Sequence, residues 1–155
     1  MYMLYSKSSE YAVRSLVYLA LRERDEWVMI KTISENTDVP LPFLSKIFQD
    51  IAKANWISSK KGKNGGVKLA NNPNNIKLLD IISYFDGNRD YSKCMFGHKD
   101  CGISYKCALH NKCSTIKNEI HEFLNSTTIG DFTRIWKDEN KKDYKHIKIK
   151  NILNK

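Results

Sequence analysis

The chain of 155 residues contains no apolar run approaching the roughly 18 residues that a membrane span requires. Its first residues, MYMLYSKSSEYAVRSL, lack the basic segment followed by an apolar stretch that marks a secretory signal. Internal repeats at the periods of solenoid proteins are also missing. We therefore expect a cytoplasmic protein, with one domain that has its own core, or one small domain plus an oligomerisation arm.

The signatures of common enzyme active sites are missing as well. No segment resembles a phosphate-binding loop, and no spacing indicates a nucleophile–base pair or an acid pair in a cleft. We therefore predict that the protein is not an enzyme.

Acidic residues are scarce: 17 Asp and Glu face 26 Lys and Arg, which gives a net charge of +9. Two stretches concentrate the excess. One lies between Ser58 and Leu69, which contains four lysines and no acid, and the other is the tail over 137–155. Basic patches attract polyanions, because phosphate neutralisation releases counterions. A nucleic-acid partner is favoured, and a merely solubilising surface is the alternative.

Three helices are predicted in the N-terminal part of the chain. Apolar residues recur at helical spacing over 9–24 and again over 31–37, where Ile33 is the expected buried position. The third helix, over 42–55, has one apolar face at positions i, i+3, i+4 and i+7. That face consists of Leu44, Ile47, Phe48 and Ile51.

The connection between the second and third helices favours a helix-turn-helix motif. The prolines of DVPLP prevent the second helix from continuing, and Asn55 is expected to end the third in a left-handed conformation. Two short helices joined by a tight turn, the second of them amphipathic, form a helix-turn-helix candidate. Alone this is a weak signal, since many small helical proteins contain such a pair.

A β-hairpin is predicted directly after these helices. WISSKK and GVKLA read as short strands around the glycine-rich tip GKNGG, so that the predicted unit is a winged helix. The third helix would then enter the DNA major groove while the wing contacts phosphates or the minor groove. The candidate DNA-binding residues are Pro42, Phe43, Ser45, Lys46 and Gln49 on the helix and Lys60, Lys61 and Lys63 on the wing.

Two more helices complete the predicted mainly α fold. One packs against the winged helix through Leu79, Ile82 and Phe85 and ends at Gly87. The other, a long helix over about 107–125, carries a heptad-like apolar stripe that suits dimerisation on a palindromic operator, although packing on its own domain is the alternative. The stripe consists of Leu109, Cys113, Ile116, Ile120, Phe123 and Thr127.

These patterns divide the chain into four predicted regions. The winged helix-turn-helix domain occupies 1–87, and a cysteine-bearing cofactor loop occupies 88–106. The dimerisation helix and the segment after it cover 107–136. A basic tail, which we expect to be partly disordered, covers 137–155.

All four cysteines lie between positions 94 and 113, without a C-x-x-C pair. In a reducing compartment such a cluster favours metal binding or redox sensing over structural disulfides. Cys113 belongs to the apolar stripe, and if Cys107 is helical too, the two thiols point about 120° apart. That leaves Cys94, Cys101 and Cys107 as the set to be explained.

Three chemistries remain open for that set of three. The wide gaps suit a zinc site poorly, since zinc ligands usually come in pairs two to four residues apart. An iron–sulfur cluster tolerates wide gaps but needs a fourth ligand. His98 and His110 are near enough in sequence to be considered, although each is more often an ordinary surface residue. A reversible disulfide switch needs no cofactor.

Three segments together resemble the Rrf-two family of winged-helix transcription regulators, which includes the iron–sulfur sensors of the IscR and NsrR type. The segments are SSEYAVRSLVYLA, LPFLSKIFQDIAKANWISSKKGKNGGVKLA and the cysteine loop. The resemblance implies a 2Fe–2S or 4Fe–4S cluster on Cys94, Cys101 and Cys107. It also implies a fourth ligand, Glu10 of the partner subunit. The chain departs from the family pattern in the wing, where Lys61 and Lys63-Asn64 replace an arginine and Pro-Gly.

From these observations we expect a homodimeric DNA-binding repressor that senses nitric oxide, redox state or iron–sulfur supply through the cluster. A DNA-binding regulator that uses a thiol–disulfide switch, or that lacks a cluster, is one alternative. A small metal-carrying or electron-transfer protein is another, although the predicted wing argues against it.

Overall fold

A computed structural model describes residues 5–62, 64–87, 94, 96–98, 101 and 107–139, with only the backbone for 136–139. Secondary structure in these ranges is mainly helical with one antiparallel hairpin, which confirms the predicted fold class. The helices are α1 (Lys7–Ala20), α2 (Ile30–Thr37), α3 (Leu41–Lys53), α4 (Leu78–Asp86), α5 (His110–Ser126) and α6 (Ile129–Glu139). The strands are β1 (Ile57–Lys60) and β2 (Gly66–Leu69), and a 3₁₀ turn lies at Pro73–Asn75.

Helix α1 lies nearer the N-terminus than the predicted 9–24. It begins earlier because the Ser6 hydroxyl accepts a hydrogen bond from the backbone N–H of Ser9 and caps the helix. It ends earlier because the chain turns at Leu21, where the backbone N–H of Arg22 bonds the carbonyl of Leu19. At its N-terminus, α1 is fixed to the end of α4 because the backbone N–H of Ser6 and the hydroxyl of Ser9 both donate to the Asp86 carboxylate.

The helix-turn-helix lies where it is predicted, although α2 and α3 each begin one residue earlier and α3 ends at Lys53 instead of at 55. Asp38 takes a left-handed conformation at the end of α2, and Pro40 then precedes the first residue of α3. Asn55, with φ of 58°, ends α3 in the left-handed conformation that we predict for it. The predicted apolar face of α3 is buried, which confirms that this helix lies on the core through Leu44, Ile47, Phe48 and Ile51.

The predicted wing is present as the hairpin of β1 and β2, in which Ile57 pairs with Leu69 and Lys60 pairs with Gly66. The connection between α1 and α2 forms an isolated β-bridge with β2. Val28 and Val67 exchange two backbone hydrogen bonds, each 2.9 Å long. The wing is therefore joined to the body of the domain along β2.

Helix α5 begins later than the predicted 107, so Cys107 precedes it. Because Cys107 does not belong to α5, the predicted angle of about 120° between the Cys107 and Cys113 thiols on one helix does not apply. In the apolar stripe, Leu109, Ile116 and Phe123 are exposed by 49%, 47% and 54% respectively. Leu124, which lies off the stripe, is buried and holds the end of α5 on the core.

Helix α6 is not foreseen as a separate element by the sequence patterns. Thr128 and Asp131 form a reciprocal cap at its start: the Thr128 backbone N–H donates to Asp131 Oδ2 at 2.9 Å, and the Asp131 N–H donates to Thr128 Oγ1 at 3.2 Å. Ile129 is fully buried, and α6 packs against α1. The chain thus returns to the winged helix after α5. Within the described residues, no helix is long and apolar enough to cross a bilayer.

Candidate nucleic-acid interface and cysteine site

The outer face of α3 carries all five of its predicted DNA-binding residues. Pro42, Phe43, Ser45, Lys46 and Gln49 are exposed, because the apolar positions between them fix the opposite face of the helix to the core. Phe43 is exposed by 59%, and the edge of its ring meets the Tyr11 ring of α1 with 6.2 Å between centroids. The helix therefore presents one aromatic, one cation and small polar groups to a ligand outside the domain.

The wing presents lysines beside that helix. Lys60 and Lys61 are exposed at the end of β1, whereas the predicted contact Lys63 lies outside the described residues. Lys68 on β2 is engaged within the protein, since its Nζ is 2.7 Å from Asp25 Oδ1. This ion pair, led by the hydrogen bond from Lys68, lowers the pKa of the Asp25 carboxyl.

The structure brings Cys94, Cys101 and Cys107 close enough to perturb one another. Backbone N–H groups of Phe96 and His98 donate to the Cys94 sulfur and lower the pKa of that thiol. Partial removal from water raises the pKa of Cys101, and the neighbouring Cys94 and Cys107 thiols raise it further. Cys94 therefore ionises more readily than an ordinary cysteine, and the thiolate is the form that binds metals and attacks oxidants.

His110, one of the two histidines near enough in sequence to be considered, lies against Cys101. Its Nδ1 lies 3.2 Å from Cys101 Sγ, and its backbone N–H donates to the Cys107 carbonyl at 2.9 Å. In the sequence, only the position of His110 within the cysteine-bearing stretch pointed to this contact. Cys101 thus has contacts with Cys94, Cys107 and His110, close to the start of α5.

Glu10, the fourth ligand that the resemblance implies, lies on α1 with two cations. Its carboxylate is 2.9 Å from Lys7 Nζ and 2.6 Å from the Arg14 guanidinium, and its side chain is 17% exposed. Arg14 also donates to the carbonyl of Thr37 at the end of α2. Within one chain, Glu10 is therefore held in an ion-pair network beside the helix-turn-helix.

The contacts of Cys101 with its neighbours do not by themselves form a metal site. In the described part of the chain, no three His, Cys, Asp or Glu side chains converge on one point that could hold a metal ion. An iron–sulfur cluster spreads its cysteines over different iron atoms and so does not require such convergence. The Cys94 sulfur accepts hydrogen bonds from backbone N–H groups, and such bonds tune the sulfur ligands of iron–sulfur centres where they occur.

Comparisons with known proteins agree with this architecture. The profile of the Rrf2 family, described as an iron-dependent transcriptional regulator, matches residues 5–135. An Aquifex aeolicus protein with the provisional name of HTH-type transcriptional regulator is 34% identical over 135 residues, which cover 86% of this chain and 93% of that protein. The HTH-type transcriptional regulator IscR of Photobacterium profundum is 30% identical over 83% of this chain and 74% of its own length.

Solved structures share the fold at lower identity. CymR, the global cysteine regulator of B. subtilis, superposes with a TM-score of 0.70 at 21% identity, over 87% of this chain and 98% of that one. The IscR of T. potens gives a TM-score of 0.66 at 23% identity, over 88% and 90% of the two chains.

Proposed function

The chain belongs to the Rrf2 family of transcriptional regulators, and from this premise we propose that it is a homodimeric repressor that senses its signal through an iron–sulfur cluster. Family membership confirms that the protein is a regulator and not an enzyme. DNA binding follows from the same membership. The observation that carries the sensing proposal is the approach of both Cys94 and Cys107 to Cys101, close to the start of α5.

DNA recognition is assigned to the exposed face of α3. Lys46 and Ser45 can reach base edges or phosphates, Phe43 can contact a thymine methyl, and Gln49 lies one turn further on. The wing residues Lys60, Lys61 and Lys63 would lie along the phosphate backbone of the DNA. The absence of acidic residues between them suits phosphate contacts. Lysines in place of the family arginine weaken bidentate contacts and alter the preference for narrow minor grooves.

A homodimer is proposed on the exposed stripe of α5. Leu109, Ile116 and Phe123 follow one another at steps of seven residues, about two helical turns, and each is about half exposed in a single chain. A second copy of the same stripe would cover them with two-fold symmetry. The two winged-helix units over 5–87, which we call the reading heads, would then face the half-sites of a palindromic operator.

The cluster is assigned to Cys94, Cys101 and Cys107, and it would supply a centre that reacts with nitric oxide or oxidants and so reports on them. Two features of the chain would support the cluster, one at Cys94 and one at Cys107. The Cys94 thiolate is stabilised by backbone donors, and Cys107 joins the site directly to the first turn of α5. Release of these ligands would shift α5, and a shift in the dimer helix would change the angle between the reading heads.

The fourth ligand has two candidates. The family resemblance favours Glu10 of the partner subunit, which would have to exchange its ion pairs with Lys7 and Arg14 for the cluster. The 3.2 Å contact with Cys101 Sγ favours His110 of the same chain, which needs no second copy. Substituting His110→Ala and Glu10→Gln separately, and comparing iron content and absorption spectra, distinguishes the two candidates.

Anaerobically purified protein tests the cluster proposal. We expect a coloured protein that contains iron and sulfide, and we expect Cys94→Ala, Cys101→Ala or Cys107→Ala each to remove the visible absorption. Cys113→Ala is the matched control, because Cys113 lies further along α5 and should leave the spectrum unchanged. A colourless protein with stoichiometric zinc would contradict the proposal.

A thiol–disulfide switch is the second candidate function, and the proximity of Cys94 to Cys101 favours it. A Cys94 thiolate attacks a peroxide to give a sulfenic acid, and the Cys101 thiol then displaces water to form the disulfide. Intact mass spectrometry after peroxide treatment should show a loss of two hydrogen atoms that a reductant reverses. The same loss in a protein that never binds iron would favour the switch over the cluster.

Lys61→Ala tests the assignment of DNA binding to the wing. We expect weaker binding to duplex DNA, with the slope of log K against log salt lower in magnitude by about 1, as for the loss of one phosphate contact. Lys112→Ala, which removes an exposed lysine from α5, is the matched control and should leave that slope unchanged. Equal effects of the two substitutions would contradict the wing assignment.

A further inference from the structure

The connection between α1 and α2 forms part of the wing, although it precedes the wing by almost the whole helix-turn-helix. Val28 exchanges two backbone hydrogen bonds with Val67 of β2, each of 2.9 Å. In this antiparallel pairing Trp27 lies opposite Lys68 and shares the outward face of the sheet with it. Val28 is therefore bridged to the hairpin that carries the wing lysines, and Asp25 and Trp27 lie on the same segment just before it.

Gly66 allows the backbone of the α1–α2 connection to approach the hairpin closely. A Cβ at position 66 would lie 2.4 Å from the Val28 carbonyl oxygen, so only glycine allows the close approach. Gly66 is also the residue that pairs with Lys60. Because it has no side chain, nothing at that position separates the Lys60 side chain from the Trp27 ring.

Trp27 lies within range of two wing lysines at once. Lys68 Nζ is 5.1 Å from the ring centroid and Lys60 Nζ is 6.0 Å from it. Ammonium groups at such distances are attracted by the negative face of an indole ring. The half-buried Trp27 is thus the common contact of a cation on β1 and a cation on β2.

The two lysines differ in what else holds them. Lys68 is 25% exposed and forms an ion pair of 2.7 Å with Asp25, which lies two residues before Trp27. Among the described residues, no carboxylate forms an ion pair with Lys60, which is exposed. The charge of Lys68 is therefore matched inside the protein, whereas the charge of Lys60 is available to a ligand.

We propose that Trp27 is a positioning residue for DNA binding, which orients Lys60 toward a phosphate of duplex DNA while Asp25 keeps Lys68 engaged within the protein. This inference rests on the proposed function, since it requires that the wing contacts DNA. The aromatic contact restricts the flexible lysine stem before binding, so that less conformational entropy is lost when the phosphate is met.

The first measurement separates the two lysines by salt dependence. Binding of a duplex of arbitrary sequence is followed by fluorescence anisotropy over a range of salt concentrations. We expect Lys60→Gln to reduce the magnitude of the slope of log K against log salt by about 0.9, the value for one phosphate contact on B-DNA. Lys68→Gln should leave the slope unchanged, because its charge is already matched by Asp25.

The second measurement is a double-mutant cycle between Trp27 and Lys60. Trp27→Leu should weaken DNA binding by about two- to fivefold, the range expected for one exposed cation–π contact. The same substitution should have almost no effect in the K60Q background, where the cation is gone. Trp27→Phe, which retains an aromatic face, should keep most of the wild-type affinity for DNA. If Trp27→Leu fails to fold, the cycle is measured with Trp27→Phe in its place.

The outcomes separate this inference from the proposed function. If the wild-type protein binds DNA but Trp27→Leu weakens binding equally in both backgrounds, Trp27 has a merely structural role and the inference is wrong. An equal loss of slope in Lys60→Gln and Lys68→Gln would overturn it too. A wild-type protein that binds no duplex at all would contradict the proposed function, and this inference with it.

Discussion

The winged helix and the helix α5 differ in how completely a single chain buries their apolar residues. The apolar face of α3 is buried at every predicted position, with Leu44 and Ile51 fully removed from water. The apolar stripe of α5 leaves Leu109, Ile116 and Phe123 about half exposed, and among the described residues of α5 only Leu124 is buried.

The difference indicates where each region obtains its stability. An amphipathic helix is held mainly by tertiary packing of its apolar face, so α3 is complete within one chain. A row of large apolar side chains in water is unusual on a monomeric protein and marks an interaction site. We infer that the reading head buries its apolar faces within one chain, whereas the exposed stripe of α5 is left for a second copy to cover.

Ile116→Asp gives the largest expected effect on this comparison. Burial of one isoleucine side chain is worth about 1.5–3 kcal/mol, and two-fold symmetry doubles the loss. We therefore expect the dissociation constant of the dimer to rise by about a hundredfold or more. Analytical ultracentrifugation measures this rise, and circular dichroism should show that the helices of the head persist.

Asn118→Asp is the matched control for Ile116→Asp. It introduces the same charge on α5 but at an exposed position off the apolar stripe, so the dimer should survive. Dissociation in both variants would indicate a general effect of charge. Persistence of the dimer in both would show that the stripe is not the interface, and α5 would then have to be covered in another way.

Ile51→Ala tests the other side of the comparison. Ile51 is fully buried in the core beneath α3, and truncation there leaves a cavity in addition to the lost transfer free energy. We expect the free energy of unfolding to fall by about 2–5 kcal/mol, measured by urea denaturation. The dissociation constant of the native dimer should stay unchanged, because Ile51 faces the interior of the head.

Ile116→Ala provides the reference for this loss, since it truncates the same residue type on the exposed stripe. If both alanine variants lower the unfolding free energy by the same amount at a protein concentration below the dimer dissociation constant, the two regions are equally self-sufficient. The comparison would then be wrong.

The sequence predicts the reading head almost completely, because its signals are local. The helical period of α3, the left-handed Asn55 and the glycine-rich hairpin each depend on a few neighbouring residues, and all agree with the structure. Helix α6 is missed although Thr128 and Asp131 have capping-box spacing, since the partner that buries Ile129 is distant in sequence.

The candidate cysteine site is less predictable for a physical reason. Helix α5 begins after Leu109 without a side-chain hydrogen bond that caps it, so the sequence contains no marker of its first residue. An error of three residues there moves Cys107 off the helix and hides the approach of His110 to Cys101. The order of the thiols along the chain is visible, but the turn that gathers them is not.

The cap of α6 gives the smallest expected effect and tests whether α6 belongs energetically to the head. Thr128→Ala removes the hydroxyl that accepts from the Asp131 backbone N–H, and loss of such a cap costs about 1 kcal/mol of unfolding free energy. Urea denaturation should show this loss. Ser126→Ala, close by at the end of α5, is the control and should change the stability less. Because Ile129 and Thr133 pack within the head, the loss should not depend on protein concentration.

The carboxylate of the same cap predicts a pH dependence. Hydrogen bonds from the Thr128 hydroxyl and backbone N–H lower the pKa of Asp131 in the folded chain. A carboxyl whose folded pKa is lower than its unfolded pKa stabilises the fold at pH values above the unfolded pKa of about 4. This stabilisation is lost as the pH falls through the lower, folded pKa. Asp131→Asn should therefore unfold more readily than the wild type near neutral pH, and the difference should shrink on acidification. A difference that stays constant across this range would mean that the Asp131 charge contributes nothing to the cap.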